Sequence, residues 1–441
     1  MVPPAAGALL GASWLILGLA VLASLRAIRP LREVLEGEPG TSTAPDLSTT
    51  PKAPRADRPL TTLSVVVTAR DEAGRIARTV HGLLAQRYPD LEVVVVDDRS
   101  ADGTSEILDE LAVNPAGNAA GRLRVVRVEA LPEGWLGKVH ACRRGAERAR
   151  GDWILFMDGD VELLRGDTLA RVVRLAGRDR LDHVAVIPDS RPMSPLHAGL
   201  MAVFGQMYLT ATRAFEMERD RPRCGGGIGA FNLVRRSAYE RIGGHDLLRM
   251  EIADDFKLGR LLKESGARQR FYDGRDLVRC RWQEGTLEVI RGLEKNFFAG
   301  FDYSLWQVAA FTLIALALTF GPAILALAGS SIQGTAGRSS PAAAAAPWAP
   351  LALQATMILL ISSRQARSLG VPAPLLALLH PIAVLLLLGA AWNSTLRTLR
   401  RGGVRWRGTF YPIDLLRRGI VPRGAGRRAA ESPGPAPPGP A

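Results

Sequence analysis

The sequence predicts an α/β domain with a mostly parallel sheet and flanking helices, together with α-helical transmembrane segments. Short apolar runs alternate with helical patterns after residue 61, as in parallel strands joined by crossover helices. Outside this region lie stretches that are nearly free of charge and close to the roughly 20 residues that cross a bilayer. These stretches are Ala5 to Leu25, Leu305 to Ala328, Ala342 to Ile361 and Ala373 to Trp392.

The elements of the α/β domain follow from the spacing of apolar residues. The segments Glu72 to Gln86, Gly103 to Ala112 and Val139 to Arg150 carry helix-type spacing. Ligands of such sheets bind beyond the carboxyl ends of the strands, so we expect the chemistry directly after each strand. The predicted strands are Leu63 to Thr68, Leu91 to Val96, Leu123 to Val128, Trp153 to Met157 and His183 to Ile187.

Positive charges indicate how the chain is oriented in the membrane. Arg26, Arg29 and Arg32 follow the first apolar stretch, which favours a membrane anchor over a cleaved signal peptide. We therefore expect a multi-pass protein of the inner (plasma) membrane with its α/β domain in the cytoplasm. Four crossings would place the arginines after Trp392 outside, contrary to the same rule, so one segment is expected to be re-entrant. Pro374 and Pro381 favour the last stretch.

These patterns divide the chain into six parts. Residues 286–304 are expected to form an amphipathic interfacial helix, with a plain soluble helix as the alternative, because Ile290, Leu293, Phe297 and Phe301 share one face. The other parts are a transmembrane anchor at 1–29, a linker at 30–60, the α/β domain at 61–285, a transmembrane region of about three segments at 305–392, and a basic, partly disordered tail at 393–441. We expect the tail to be disordered beyond Gly424.

Composition excludes several classes of protein. The formal net charge is +13, but the C-terminal arginines directly follow an apolar segment and lack interleaved aromatic residues. Anionic lipid headgroups are therefore the expected counter-charge, and nucleic acid is not an expected partner. Cys142, Cys224 and Cys280 are far apart in sequence and form no CxxC or Cys/His pattern, so neither a disulfide framework nor a zinc site is indicated.

Polar clusters follow three of the predicted strands. They are residues 68–72, residues 97–104 and residues 158–160, and helix caps such as Ser100 or Asp102 are the simpler explanation for such residues. Asp158 and Asp160 differ, because they follow a strongly apolar strand and point the same way, so a cation would relieve their repulsion. Their hard oxygen ligands suit Mg²⁺ or Mn²⁺ bridging a diphosphate.

Six motifs occur in an order that resembles a known family. From Leu63 to about residue 300, roughly half of the chain, the sequence is similar to the family 2 glycosyltransferases of GT-A fold. The resemblance is to the membrane-bound bacterial subgroup that glycosylates lipids, carotenoids or hopanoid-related acceptors and is akin to ceramide glucosyltransferases. The motifs are TARDEA at 68–73, VDDRSADGT at 96–104, GWLGK at 134–138, DGD at 158–160, GGG at 225–227 and ADD at 253–255.

The resemblance implies roles for individual residues. Asp98 would hold the nucleotide base, with Arg70 and Glu72 in the same pocket, and Thr68 would contact the nucleotide sugar. Lys138 would face the diphosphate, although a solvated lysine at a helix start is the alternative. Asp158 would bind the nucleotide sugar and, with Asp160, the metal ion. Asp255 would be the general base beside Asp254, a pair that could instead be an acidic helix start.

Two departures limit the resemblance. Processive and ceramide-type members carry Gln-x-x-Arg-Trp, whereas this chain has Arg281 and Trp282 without the glutamine at that spacing. Both remain candidate acceptor or diphosphate contacts, and processive polymerisation is not expected. Residues 292–296 match the Gly-x-x-Lys-Asn stretch of the lipid-glycosylating subgroup, with an ordinary interfacial helix face as the alternative.

The expected function is therefore an inverting, metal-dependent transfer of a sugar from a nucleoside diphosphate, with UDP favoured, to a hydroxyl of a lipid-like acceptor. One alternative is a polyprenyl-phosphate sugar synthase, whose acceptor needs no strong base. A catalytically silent scaffold for envelope assembly is the other, and the presence of both Asp160 and Asp255 counts against it.

Overall fold

The computed structural model describes residues 4–36, 60–113, 121–219, 224–280, 285–336 and 345–431. The chain divides into two compact units. An α/β unit comprises residues 28–190, 216–282 and 414–441, and a membrane unit comprises residues 1–27, 191–215 and 283–413. Arg281 and Trp282 lie outside the described residues.

An eight-stranded sheet forms the centre of the α/β unit, in the order β1-β9-β7-β8-β5-β2-β3-β4. All neighbours are parallel except β8, which is antiparallel to β5 and β7. The strands are β1 (Arg29–Pro30), β2 (Leu63–Ala69), β3 (Leu91–Asp98), β4 (Leu123–Val128), β5 (Trp153–Asp158), β7 (His183–Ile187), β8 (Asn232–Arg235) and β9 (Gln269–Asp273). Two shorter strands, β6 (Val161–Leu163) and β10 (Val278–Cys280), pair with each other.

The predicted α/β class with a mostly parallel, helix-covered sheet is confirmed. Central strands such as β3 are buried on both faces, which explains their unbroken runs of valine. The helices of this unit are α2 (Leu31–Glu36), α3 (Ile76–Leu84), α4 (Thr104–Val113), α5 (Gly137–Arg148), α6 (Thr168–Arg178), α8 (Arg236–Arg241), α9 (Asp254–Glu264) and α16 (Ala425–Glu431), and α15 (Ile413–Arg418) lies at its boundary with the membrane unit.

Two segments are more ordered than their composition suggests. Residues 30–36 open the segment expected as a linker, yet with Arg29 they form β1 and α2, and Leu31 and Leu35 are fully buried in the core. The expectation of disorder directly beyond Gly424 was wrong for α16. Because Gly426 has no Cβ, α16 can approach α9 closely, and the Gly426 N–H donates to Glu264 Oε2 at 3.1 Å. Residues 432–441 lie outside the described residues.

Among the described residues of the membrane unit, four helices are long and apolar enough to cross a bilayer, so this is a membrane protein. They are α1 (Pro4–Ala27), α12 (Leu305–Ala336), α13 (Ala349–Leu369) and α14 (Ala373–Arg401). The unit also contains α7 (Pro195–Ala211), a uniformly apolar helix that we did not predict, and a hairpin of β11 (Gly403–Trp406) and β12 (Thr409–Pro412).

The directions of these helices follow from their contacts. Trp14 Nε1 donates to the Leu318 carbonyl at 2.7 Å, and Gly321 meets Leu10, so α12 runs antiparallel to α1. By contrast, α13 runs parallel to α1, because successive glycines of α1 meet successive residues of α13: Gly7 with Pro350, Gly11 with Leu353 and Gly18 with Met357.

The segment expected as one amphipathic helix is two short helices, α10 (Thr286–Gly292) and α11 (Phe297–Gly300). A hydroxyl group of α14 satisfies the backbone at the break. Ser394 Oγ accepts from the Phe298 N–H at 3.0 Å and donates to the Glu294 carbonyl at 2.5 Å. Leu293 and Phe297 are buried as the expected face requires.

Candidate active site

Three strands deliver polar residues to one edge of the sheet. Thr68 of β2 lies opposite Asp158 of β5 in the parallel register, and Ala69 lies opposite Asp97 of β3. The carboxyl ends of these strands therefore meet at the place where ligands of parallel α/β sheets bind.

The loops after β2 and β3 are hydrogen-bonded to each other. The Glu72 N–H donates to Thr104 Oγ1 at 2.8 Å, and the Ala73 N–H donates to Asp102 Oδ2 at 3.0 Å. Asp71 has a positive φ of 55° and accepts from the Ala101 N–H. Because this loop holds these residues, α3 begins at Ile76 and not at the predicted Glu72.

Asp98 lies among arginines at the end of β3. Its side chain is buried and contacts Arg99 Nε at 2.8 Å and Arg70 Nη1 at 3.6 Å. Gly137, the first residue of α5, is needed here, since a Cβ at this position would lie 2.4 Å from Asp98 Oδ2. The predicted base-binding residues Arg70 and Asp98 are thus neighbours.

Lys138 follows Gly137 and extends to the end of β5. Its Nζ lies 2.8 Å from Asp158 Oδ1 and 3.9 Å from Asp254 Oδ1, and 23% of its side chain is exposed. Burial opposes the charged form, but Asp158, Asp254 and Asp255 outweigh it and hold the pKa of the Lys138 ammonium well above its ordinary value. The lysine therefore carries its charge throughout the neutral range.

Asp255 is fixed at the start of α9 by backbone donors. Its Oδ2 accepts from the Gly229 N–H and its Oδ1 accepts from the Phe256 N–H, both at 2.7 Å. The predicted glycine run lets this loop approach α9, since a Cβ at Gly227 would lie 2.2 Å from the Asp255 carbonyl oxygen. The carboxylate position is thus set by two short hydrogen bonds.

Asp158 and Asp160 contact different partners. Asp158 pairs with Lys138, whereas Asp160 Oδ1 accepts from Cys280 Sγ at 3.7 Å. Burial, Asp158 and Glu72 together raise the pKa of the Asp160 carboxyl group above its ordinary value. Burial is the largest cause, and the negative charge gathered around Gly159, against which the Glu72 side chain also packs, adds to it.

One pocket contains five of the predicted residues: Thr68, Lys138, Asp158, Asp254 and Asp255. Arg70, Glu72, Asp98 and Asp160 do not line this pocket. Sequence reasoning missed several of the residues that do, among them Cys142, Asn232 and His245. Cys142 could have been found, because it lies one helical turn after Lys138 on α5.

The missed residues are buried and uncharged. Burial and Lys138 lower the pKa of the His245 imidazole to about 3, and burial raises the pKa of the Cys142 thiol well above its ordinary value. His245 Nδ1 lies 2.7 Å from the Tyr239 hydroxyl group. The charged groups of the pocket are therefore one lysine and its carboxylates.

Comparison with known families identifies this region. Residues 64–243 match the model of glycosyl transferase family 2. The chain contains a family 2 glycosyltransferase domain. The family that the motifs resemble is thereby confirmed, and the match spans Lys138 and Asp158 but ends before Asp254 and Asp255.

Two relatives are similar to this chain over more residues than the family model matches. The 4,4'-diaponeurosporenoate glycosyltransferase of Staphylococcus aureus (strain bovine RF122 / ET3-1) is 25% identical, over 80% of this chain and 88% of the relative. The protein of the same name from strain USA300 has the same identity and coverage. The similarity therefore includes much of the membrane unit.

Among solved structures, the glycosyltransferase domain is similar to mannosyltransferase PcManGT from Pyrobaculum calidifontis in complex with GDP-Man and Mn²⁺. The TM-score is 0.46 at 19% identity, over 90% of this chain and 98% of that one. S. aureus TarS 1-349 follows with a TM-score of 0.33 at 16% identity, over 80% and 96% of the two chains. The fold assignment therefore rests on the strand order of the sheet described above and not on these structures.

Proposed function

We propose that this protein is a membrane-bound, inverting glycosyltransferase that moves a sugar from a nucleoside diphosphate, with UDP favoured, to a lipid-like acceptor. The observation that carries the proposal is the presence of a charged lysine and an oriented carboxylate in the same pocket. Lys138 and Asp255 line one pocket, and Gly229 lies beside both of them.

Lys138 would bind the donor diphosphate. Its ammonium forms an ion pair with Asp158. During transfer, the ammonium would stabilise the negative charge that grows on the leaving group. Asp98, flanked by Arg70 and Arg99, would accept hydrogen bonds from the base, with Glu72 as a further contact, and Thr68 would contact the nucleotide sugar beside Lys138. Fixed charge acts most strongly where charge develops during the reaction.

Asp255 would accept the proton of the acceptor hydroxyl group as the sugar carbon is attacked. Its two backbone donors hold the carboxylate in place before the substrate binds, which preserves alignment with the reacting atoms. An attack from the face opposite the leaving group inverts the anomeric configuration. Asp254 remains beside Lys138 and would help to hold the ammonium.

A divalent cation fits the carboxylates after β5. Asp158, Asp160 and Glu72 gather negative charge there, and burial together with this charge raises the pKa of Asp160. Asp158 and Asp160 would hold Mg²⁺ or Mn²⁺, whose hard oxygen preference matches them. When bound, the ion supplies positive charge to the diphosphate.

The contacts of α14 support an orientation with both termini of this helix on one side of the membrane. Since α13 runs parallel to α1, α13 ends on the side where α1 ends. Only residues 370–372 separate α13 from α14, about 10 Å of chain against a bilayer of about 30 Å.

The other end of α14 lies beside the start of α12. Trp392 Nε1 donates to Thr312 Oγ1 at 3.0 Å, and Glu294 pairs with Arg397 and Arg401 at 2.8 Å. We therefore infer three crossings, by α1, α12 and α13, with α14 re-entrant. The arginines after Trp392 then share the cytoplasmic side of the inner membrane with Arg26, as the charge rule requires.

The name of the relatives suggests a second kind of acceptor. A diaponeurosporenoate presents a carboxylate, which is ionised at neutral pH and needs no base to attack a sugar. A polyprenyl phosphate shares this property. We propose the hydroxyl acceptor because Asp255 is held for proton removal, and the acceptor classes are separated by experiment.

The test compares lipid extracts from cells with and without the gene by mass spectrometry. We expect a lipid that carries one added sugar only when the gene is present, and its fragments identify the acceptor group. NMR of the product should show the anomeric configuration opposite to that of the donor. Identical lipid profiles, or a retained configuration, would contradict the proposal.

A further inference from the structure

Three buried metal-ligating side chains meet beside Lys138 although the sequence indicated no such cluster. Cys142 comes from α5, His245 from the 3-10 helix Gly244–Leu248, and Asp254 from the first residue of α9. One ligand atom of each lies within 4.8 Å of the other two. The exposed fractions are 3%, 2% and 4% for these residues in order, so all three are shielded from solvent.

A tyrosine hydroxyl group orients the histidine of this cluster. Its Nδ1 lies 2.7 Å from the Tyr239 hydroxyl group, which leaves Nε2 as the nitrogen available to an ion. Phe156 packs edge-on against the imidazole ring at 4.8 Å between centroids. A hydrogen bond to the second nitrogen fixes the tautomer and the orientation of a metal ligand.

The charge of the surrounding pocket favours a cation. Asp158, Asp254 and Asp255 face one ammonium, that of Lys138, so the ionised groups leave a negative excess. Buried charge of one sign is costly unless it is compensated. A divalent ion reduces this negative excess even after the Cys142 thiol has lost its proton.

We propose that Cys142, His245 and Asp254 form a binding site for a thiophilic divalent ion such as Zn²⁺, distinct from the Asp158 and Asp160 pair. Sulfur, imidazole nitrogen and one carboxylate oxygen are a donor set that suits zinc, whereas magnesium prefers oxygen alone. Binding forms a metal–sulfur bond and releases the thiol proton to solvent.

Occupation of this site would affect Lys138. Asp254 lies 3.9 Å from the ammonium, so an ion at the site competes with Lys138 for the same carboxylate. Zinc would then alter the donor pocket, and we expect it to inhibit the proposed transfer. The metal site itself does not depend on that reaction, because its ligands are present whatever the enzyme transfers.

The test uses the full chain in lipid nanodiscs, stripped of metal with a chelator and titrated with Co²⁺ and Zn²⁺ without donor. We expect the near-ultraviolet charge-transfer absorption of a thiolate–cobalt bond, which saturates at one such bond per chain. The variant Cys142→Ser should lose this absorption. Cys224→Ser, which removes another buried cysteine outside the pocket, should keep it.

A second variant removes only the partner of the histidine. Tyr239→Phe should weaken zinc binding roughly 10- to 100-fold, as loss of such partners does, while the cobalt absorption remains at saturation. A wild-type chain without the charge-transfer absorption would overturn the proposal, even if Cys142→Ser failed to fold. Equal absorption in wild type and Cys142→Ser would also overturn it.

Discussion

The Gly229 N–H donates a hydrogen bond to Asp255 Oδ2 at 2.7 Å, and the same glycine adjoins the other charged groups of the pocket. A Cβ at residue 229 would lie 2.8 Å from Asp158 Oδ2 and 3.3 Å from Lys138 Nζ. Gly229 thus sets the spacing between the proposed donor side, Lys138 and Asp158, and the proposed acceptor side, Asp255.

The first prediction concerns this spacing. Gly229→Ala should lower kcat/KM roughly 10²-fold, because a shift of about 1 Å in reacting groups costs that much. Gly177→Ala is the matched control, since a Cβ there meets nothing within 4 Å. Steady-state kinetics of the two variants are compared. An active Gly229→Ala enzyme would show that the glycine does not set the site geometry.

The second prediction concerns the charge of Lys138. Lys138→Met should lower kcat/KM for the donor roughly 10²- to 10³-fold, the usual effect of removing one group that stabilises developing charge. The raised pKa keeps the wild-type lysine charged, so it should add no pH dependence between about pH 6 and 9. Arg143→Met, on the same helix, serves as control, and equal activity of both variants would refute the role.

The third prediction concerns pH and metal. Because the folded-state pKa of Asp160 is raised, the folded chain holds this proton to a higher pH than the unfolded chain. The free energy of unfolding should therefore fall as pH rises from the ordinary aspartate pKa through the raised one, and stay lower above it. Asp160→Asn should remove this fall, whereas the exposed Asp109→Asn should not.

Mn²⁺ provides the second part of the Asp160 experiment. If Asp158 and Asp160 bind the ion, Mn²⁺ should raise the thermal midpoint of the wild-type chain at neutral pH by compensating their repulsion. The increase should be smaller in Asp160→Asn. An equal increase in wild type and variant would place the ion elsewhere.

The fourth prediction concerns the C-terminus. With α14 re-entrant, a green fluorescent protein fused after residue 431 should fluoresce, and alkaline phosphatase fused there should be inactive, as on the cytoplasmic side. The same fusions ahead of α1 should give the opposite result. An active phosphatase at the C-terminus would mean that α14 crosses the membrane.

The sequence predicted local features well. The strands β2, β3, β4, β5 and β7 start at the predicted residues. The apolar runs of β2, β3, β5 and β7 are buried on both faces and have sharp polar ends, whereas β4, at the edge of the sheet, is only partly buried. Lys138, Asp158 and Asp255 share a pocket because each follows or faces the carboxyl end of a strand.

Long-range contacts explain what could not be predicted. β8 pairs with β5 and β7 only through the tertiary fold, and four residues give no clear period. His245 approaches Cys142 and Asp254 through a turn whose Gly243 and Gly244 have positive φ values of 73° and 59°. The break between α10 and α11 depends on Ser394, about 100 residues further along the chain.

The most direct measurement follows transfer by the full chain in nanodiscs with wild type and Asp255→Asn, using hydroxyl, carboxylate and phosphate lipids as acceptors. Removing a general base should reduce transfer to the hydroxyl lipid roughly 10²- to 10⁴-fold and leave transfer to ionised acceptors largely unchanged. Undiminished transfer to the hydroxyl lipid by Asp255→Asn would contradict the proposed role of Asp255 and the reaction built on it.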